Sequence, residues 1–189
     1  MIRTAARLAL CMALGAVAAG PALAQKVRLA TSMGDIVLQL DPEKAPKTVE
    51  NFTQYVKAGH YDGTIFHRVI DNFMIQGGGY TPDMKERATT RPAIPLESRN
   101  GLANARGSLA MARTMVPDSA RAQFYINVKD NAFLDQPNSR DGHGYAVFGK
   151  VVEGMEVVDR IKAVATGPKD GMGDVPVQPV VIKKATLEK

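Results

Sequence analysis

The sequence predicts a mainly-β domain, an antiparallel barrel or sandwich carrying two helical caps. Three observations lead there. Short apolar or alternating runs bounded by turn residues recur along the chain. A helical apolar stripe occurs in only two segments, at well-separated places. No repeat, linker or membrane-length apolar segment divides Gln25–Lys189, a length that suits one domain with its own core.

Residues 1–24 read as a cleaved signal peptide rather than fold. Arg3 and Arg7 make a basic start, Leu8–Ala19 an apolar centre, and Ala22-Leu23-Ala24 a small-x-small cleavage pattern before Gln25. The apolar run falls short of the roughly 20 residues that span a bilayer. Leu8–Cys11 makes a poor lipoprotein box, because Leu10 is bulky where a small residue is needed. Export to the periplasm, with no membrane anchor after cleavage, is the expectation. Cys11, the one cysteine, leaves with the leader, so neither disulfides nor thiol chemistry are expected of the mature chain.

The mature elements follow in order. Val27–Thr31 and Asp35–Leu40 read as strands joined by a tight turn at Met33-Gly34, with Ile36, Leu38 and Leu40 on one face. Pro46–Ala58 reads as a helix, with Pro46 in its first turn, Val49, Phe52 and Val56 as its stripe, and Gly59 as its stop. Ile65–Ile70 and Phe73–Gln76 are strands separated by Asp71-Asn72. Periodicity fails from Gly77 to Arg106, so Gly77-Gly78-Gly79 reads as a turn opening a long irregular excursion. Short strands return at Ser108–Ala112, Phe124–Val128 and Tyr145–Val151. Met155–Ala163 is the second helix, with Val157, Val158 and Ile161 inward, and Val177–Leu187 is the last strand.

The usual catalytic constellations are missing. No serine stands in a Gly-x-Ser-x-Gly elbow. The three glycines are followed by neither Lys-Ser/Thr nor a helical pattern, which excludes a phosphate loop. His60, His67 and His143 lack metal-ligand spacing, so no metal site or cofactor is expected. Without Arg3 and Arg7 the 24 basic residues fall to 22, scattered against 19 acidic ones, which gives nucleic-acid binding no support.

What stands out is Phe66–Gly79, FHRVIDNFMIQGGG, which sets Arg68 inside an otherwise apolar run. Two readings are open. A guanidinium in apolar surroundings needs a partner, which points to a ligand. Alternatively Arg68 lies on the wet face of a strand, with Phe66 and Ile70 on that face and His67, Val69 and Asp71 on the other. Phe73, Met74, Met111, Phe124, Tyr125, Phe133 and Leu134 are core or pocket. Gln76 and Gln123 sit in strand-like apolar runs, where a buried amide needs a partner.

The run FHRVIDNFMIQGGG resembles the signature of the cyclophilins, which are prolyl cis–trans isomerases. Gly107–Ala112, Gln123–Ile126, Phe133-Leu134-Asp135 and Val147–Val151 match in order, and Ala45–Phe52 matches the family's first helix. The resemblance covers essentially all of Gln25–Lys189 and is most similar to the exported bacterial branch, which shares Met111-Ala112-Arg113-Thr114. It implies a closed eight-stranded antiparallel β-barrel, capped by two α-helices, with the active groove on its outside. It implies Arg68, Phe73 and Gln76 as catalytic residues. His67, Met74, Met111, Ala112, Arg113, Gln123, Phe124, Tyr125, Phe133, Leu134 and Tyr145 are implied to contact the substrate. The implied partners are proline-containing polypeptides, bound by a monomer.

Some positions depart from the family pattern. Its usual Pro-Gly after the arginine strand is Asp71-Asn72 here, a turn that Asn can keep. A pocket Phe is Tyr125, the groove His is Tyr145, and an Asn beside the pocket is Arg113, expected as a charge on the groove rim. The groove Trp of drug-sensitive members is Phe133, which implies weak cyclosporin binding.

Overall fold

The computed structural model describes residues 25–188; the predicted leader, including Cys11, lies outside the described residues. The first strand, β1 (Lys26–Thr31), forms a hairpin with β2 (Gly34–Leu40). Helix α1 (Pro46–Lys57) starts on its proline and buries the predicted Val49, Phe52 and Val56, together with Tyr55. Strands β3 (Thr64–Ile70) and β4 (Met74–Tyr80) follow, joined by a turn in which Asn72 adopts φ +56°. Then come β5 (Ser108–Met111), β6 (Phe124–Asn127), β7 (Val147–Glu153) and helix α2 (Met155–Lys162). The chain closes with β8 (Thr166–Lys169), β9 (Met172–Pro176) and β10 (Val181–Glu188).

Eight strands close a barrel in the order β1-β10-β3-β4-β6-β5-β7-β2, and every pairing in it is antiparallel. Closure leaves no sheet edge unpaired. Alternation along each strand sends one set of side chains inward. Phe52 of α1 joins that interior, its ring 5.1 Å from Phe148 and 5.5 Å, edge-on, from Phe124. Val157, Val158 and Ile161 of α2 enter the same buried cluster. Edge-to-face rings in a dry core add to the stabilisation from burial.

Two expectations are corrected. Gly77-Gly78-Gly79 is not a turn but the second half of β4. Each glycine there makes room for a neighbour: a Cβ would come 3.0 Å from the Phe66 ring at Gly77, 2.8 Å from the Tyr61 ring at Gly78, and 2.5 Å from Gln123 Cδ at Gly79. The last strand begins at Val181 rather than Val177, whose side chain is exposed. Before it, β8 and β9 form an additional two-stranded sheet. Its turn, Asp170-Gly171, has both residues at positive φ, the hairpin chemistry that an Asp-Gly pair supplies. The flanking strands carry little alternation, which hid them. Val175 and Met172 seat this hairpin against Ile65, Met84, Tyr80 and Val181 on the outside of the barrel.

Candidate active site

The site is built where β3, β4, β5 and β6 turn their outer faces to solvent. A bulge in β3 decides what reaches it. Phe66 pairs with Gly77 but Arg68 pairs with Gln76, so one extra residue sits on β3 between them. Such an insertion breaks the two-residue alternation. Phe66 and Val69 consequently belong to the barrel interior, whereas Ile70 joins the outer apolar cluster. The expected common face for Phe66, Arg68 and Ile70 is thus corrected. Arg68 is outside, its side chain 43% exposed, with Nε 3.8 Å from Asp174 of β9.

Arg68 lines a cavity of ≈ 120 Å³ with Phe73, Met74, Gln76, Ala112, Arg113, Tyr125, Leu134 and Tyr145. The register explains the company. Gln76 faces Tyr125 across β4 and β6, and Tyr125 faces Ala110 across β6 and β5. The next pair, Met111 opposite Phe124, points the other way. Both are buried in the barrel core, so the expectation that their side chains contact a groove ligand is corrected. Gln76 donates from Nε2 to Gln123 Oε1 at 2.9 Å, and the missing side chain of Gly79 lets Gln123 lie there. Gln123 lines an adjoining hollow of ≈ 390 Å³ that shares Gln76, Ala112 and Arg113 with the first.

His67 contributes no wall. It is buried with its ring 4.7 Å from Tyr80, and burial, with the nearby Arg68 charge, pushes its pKa down to about 4. His67 is the extra residue of the β3 bulge, and it lines neither the Arg68 cavity nor the adjoining hollow. Phe133 stands at the groove edge, 55% exposed, its ring stacked 5.6 Å from Phe73.

Arg113 is not a rim charge. Its side chain is only 1% exposed and binds Asp141 at 2.5 Å. It also donates to the backbone carbonyls of Gly144 and Thr114, both at 2.9 Å, and lies over the Tyr145 ring at 4.5 Å. That guanidinium, with the backbone N–H groups of His143 and Gly144, holds the Asp141 carboxyl well below the usual carboxylate range.

A polar network beneath the groove escaped the sequence reading. Tyr125 donates its hydroxyl to Asn104 Oδ1 at 2.8 Å, and Asn104 is held by Asp135 at 2.9 Å. Asn127 donates to Asn104 and Ser108, and Asn131 donates to Asn127 and to the Phe73 carbonyl. The hydroxyl that distinguishes Tyr125 from phenylalanine therefore has a partner, and burial raises its pKa far above the ordinary value. No local pattern in the sequence marks these asparagines, because most of their partners lie 19 to 58 residues away.

Larger hollows lie elsewhere: one of ≈ 450 Å³ is lined chiefly by polar and charged residues, and one of ≈ 510 Å³ by Leu40, Pro42, Leu102 and Val147 together with Gln39 and Arg106. Neither is lined by any of the residues that line the Arg68 cavity. Among the described residues, no three His, Cys, Asp or Glu side chains cluster as metal ligands, and no helix is long and apolar enough to cross a membrane.

The comparisons with known proteins agree with this geometry. Residues 26–187 match the family model described as cyclophilin type peptidyl-prolyl cis-trans isomerase/CLD. Peptidyl-prolyl cis-trans isomerase cyp18 of Streptomyces antibioticus is 61% identical over 162 residues, spanning 85% of this chain and 97% of the relative. Peptidyl-prolyl cis-trans isomerase B of Escherichia coli is 54% identical over 160 residues, spanning 84% and 97%. A crystal structure of a Cryptosporidium parvum cyclophilin, determined in the presence of the dipeptide Ala-Pro, superposes with a TM-score of 0.75 at 26% identity, covering 87% of this chain and 99% of that one. Sequence, barrel and relatives converge: this chain belongs to the cyclophilin-type peptidyl-prolyl cis-trans isomerase family and is an enzyme of that class.

Proposed function

We propose that the chain accelerates rotation about X–Pro bonds of exported polypeptides, and that Arg68 does so by stabilising the twisted imide. The observation that carries this reading is the convergence of one half-exposed guanidinium and an apolar wall on one small cavity. Amide resonance sets a barrier of about 18–20 kcal/mol to rotation. At the twisted transition state that resonance is lost, and the proline nitrogen regains a lone pair. A donor aimed at that nitrogen binds the twisted state better than the planar one, which lowers the barrier. Arg68 supplies the donor. Phe73, Met74, Leu134 and Tyr125 hold the ring, so that the chain on its other side turns. Gln76, with Gln123 behind it, and the backbone around Ala112 and Arg113 hold the peptide. No bond is broken and no proton is transferred, so the reading calls on no cofactor. The Ala-Pro dipeptide used with the Cryptosporidium relative supports a proline-containing ligand.

The deciding experiment is a protease-coupled assay of purified Gln25–Lys189 on an X–Pro tetrapeptide. Catalysed exchange is expected, unaffected by a chelator; a rate equal to the uncatalysed one would end the proposal. Export is part of the same reading. Mass spectrometry of the protein recovered outside the cytoplasm should find Gln25 at the N-terminus, and a lipid on Cys11 or an intact leader would refute it.

A further inference from the structure

The groove's lining orders it along the surface. Phe73 and Leu134 border only the ≈ 120 Å³ cavity, Gln76, Ala112 and Arg113 border both hollows, and Thr114 and Ser119 border only the ≈ 390 Å³ one. Phe133 stands beside the first end, stacked on Phe73. At the second end, the chain between Thr114 and Ser119 lifts Met115 and Val116 into solvent, 80% and 61% exposed. Three of the five most exposed large apolar side chains among the described residues thus flank one groove. Scattered apolar residues on a surface need no explanation, but apolar residues gathered at a binding groove do.

The Met115-Val116 turn is also held rigidly. Thr114 donates its N–H and its hydroxyl to Ser119 Oγ at 2.9 and 2.8 Å, and Ser119 donates to the Val116 carbonyl at 2.6 Å. The Val116 N–H returns to Thr114 Oγ1 at 3.2 Å. Arg113 grips the Thr114 carbonyl from below at 2.9 Å. On the far side Asp118 accepts the Leu96 N–H at 2.8 Å, and Ala120 pairs with Ile94 at 3.0 Å. These bonds hold the turn in one shape although its two apolar side chains bury little against the protein. A preordered apolar pair costs less entropy to engage than a floppy one.

We propose that Met115 and Val116 form an apolar prong that docks an extended, unfolded polypeptide whose proline occupies the cavity beside Arg68. The inference rests on the isomerase reading and deepens it: a short peptide ends before the prong, whereas a whole unfolded chain runs on past Thr114 and Ser119 and covers it. The occupant follows from continuity with the groove, since a chain leaving the second hollow meets the prong next. Phe133 offers a matching apolar contact where the chain leaves the other end.

The test compares the parent with Met115→Ser/Val116→Ser. Both side chains are solvent-facing, so the double variant keeps its core, and circular dichroism and melting check that it does. Turnover of an X–Pro tetrapeptide should match the parent. Binding of a reduced, carboxymethylated, permanently unfolded protein should weaken about tenfold, the loss expected from withdrawing part of two buried apolar side chains. Proline-limited refolding of a full-length protein should slow in step. Met115→Leu/Val116→Ile should restore both. Unchanged binding of the unfolded protein would overturn the proposal, as would an equal loss on the tetrapeptide. A parent inactive on tetrapeptides would sink the isomerase reading, while the binding titration would still judge the prong.

Discussion

Two walls of one groove each present an arginine, and their surroundings are opposite. Arg113 is buried, ion-paired with Asp141, bonded to two carbonyls and stacked on Tyr145. Arg68 is half-exposed, and among the described residues its ionic partner is Asp174 at 3.8 Å. A half-exposed pair of that kind contributes about 0–1 kcal/mol. The difference separates two uses of one side chain. Where the N–H groups are taken up by the protein, the guanidinium is frame. Where most of them face a cavity, it is available to a ligand. The frame arginine binds the loop after β5 to the loop before β7, and so sets the width of the cavity in which the other arginine acts.

The contrast breaks most clearly at Arg68. Arg68→Ala should lower kcat/KM by about 100- to 1000-fold, the usual cost of losing a donor to transition-state charge, with melting close to the parent. A parent-like rate would remove the functional meaning from the contrast. Arg113→Ala should do the reverse, costing stability first. It leaves Asp141 without its guanidinium partner and frees the Gly144 and Thr114 carbonyls, and a lower midpoint in denaturant unfolding is expected. Its kinetic effect should appear mainly in KM. A variant as stable as the parent would show that the buried pair is not frame.

Behind the Arg68 wall lies the group that titrates. His67 has an ordinary pKa of 6.5 in the unfolded chain and one of about 4 in the folded protein. Between these values the unfolded chain binds more protons, so stability falls as pH drops from 6.5 toward 4. His60, lowered in the same direction by burial, adds to that slope. Urea midpoints measured from pH 7 to 4.5 should decline, and His67→Gln should flatten part of the decline. Turnover should stay flat from about pH 6 to 8, because a His67 titrating near pH 4 is already neutral there. A bell-shaped rate profile from folded protein would bring proton transfer into the mechanism.

Smaller effects sharpen the picture of how the walls are held. Gly79→Ala would push a Cβ against Gln123, whose flexible end can swing away at the expense of its bond to Gln76. A drop of about five- to tenfold in kcat/KM is expected with little change in melting, one hydrogen bond being worth about 1 kcal/mol. Equal activity would show that the Gln76–Gln123 pair is dispensable. Phe133→Trp should tighten cyclosporin inhibition by a few-fold, because an indole restores ring area and an N–H donor at the groove edge; identical inhibition would remove Phe133 from the drug's path.

Much of the barrel was legible from residue order alone. Ile36, Leu38 and Leu40 alternate, and Val49, Phe52 and Val56 recur at helical spacing, because burial on one face imposes those periods. The ordered motifs likewise pointed to Arg68, Phe73, Gln76, Tyr125 and Leu134, five residues that the fold gathers within one site although they lie far apart in sequence. What periodicity misjudged was sidedness near the site. A single extra residue in β3 puts Phe66 inside and Arg68 outside, and two-residue counting has no way to register it. The same counting offered no face for Met111 and Phe124 until the β5–β6 register placed them opposite each other in the core. The Arg113–Asp141 pair, the asparagines beneath Tyr125, and the hairpin that brings Asp174 to Arg68 depend on where long loops return. Local sequence determines which segments bury a face, since that follows from short-range spacing and hydrophobicity. Only the closed tertiary structure decides which distant charges and amides meet, since that depends on the path of the whole chain.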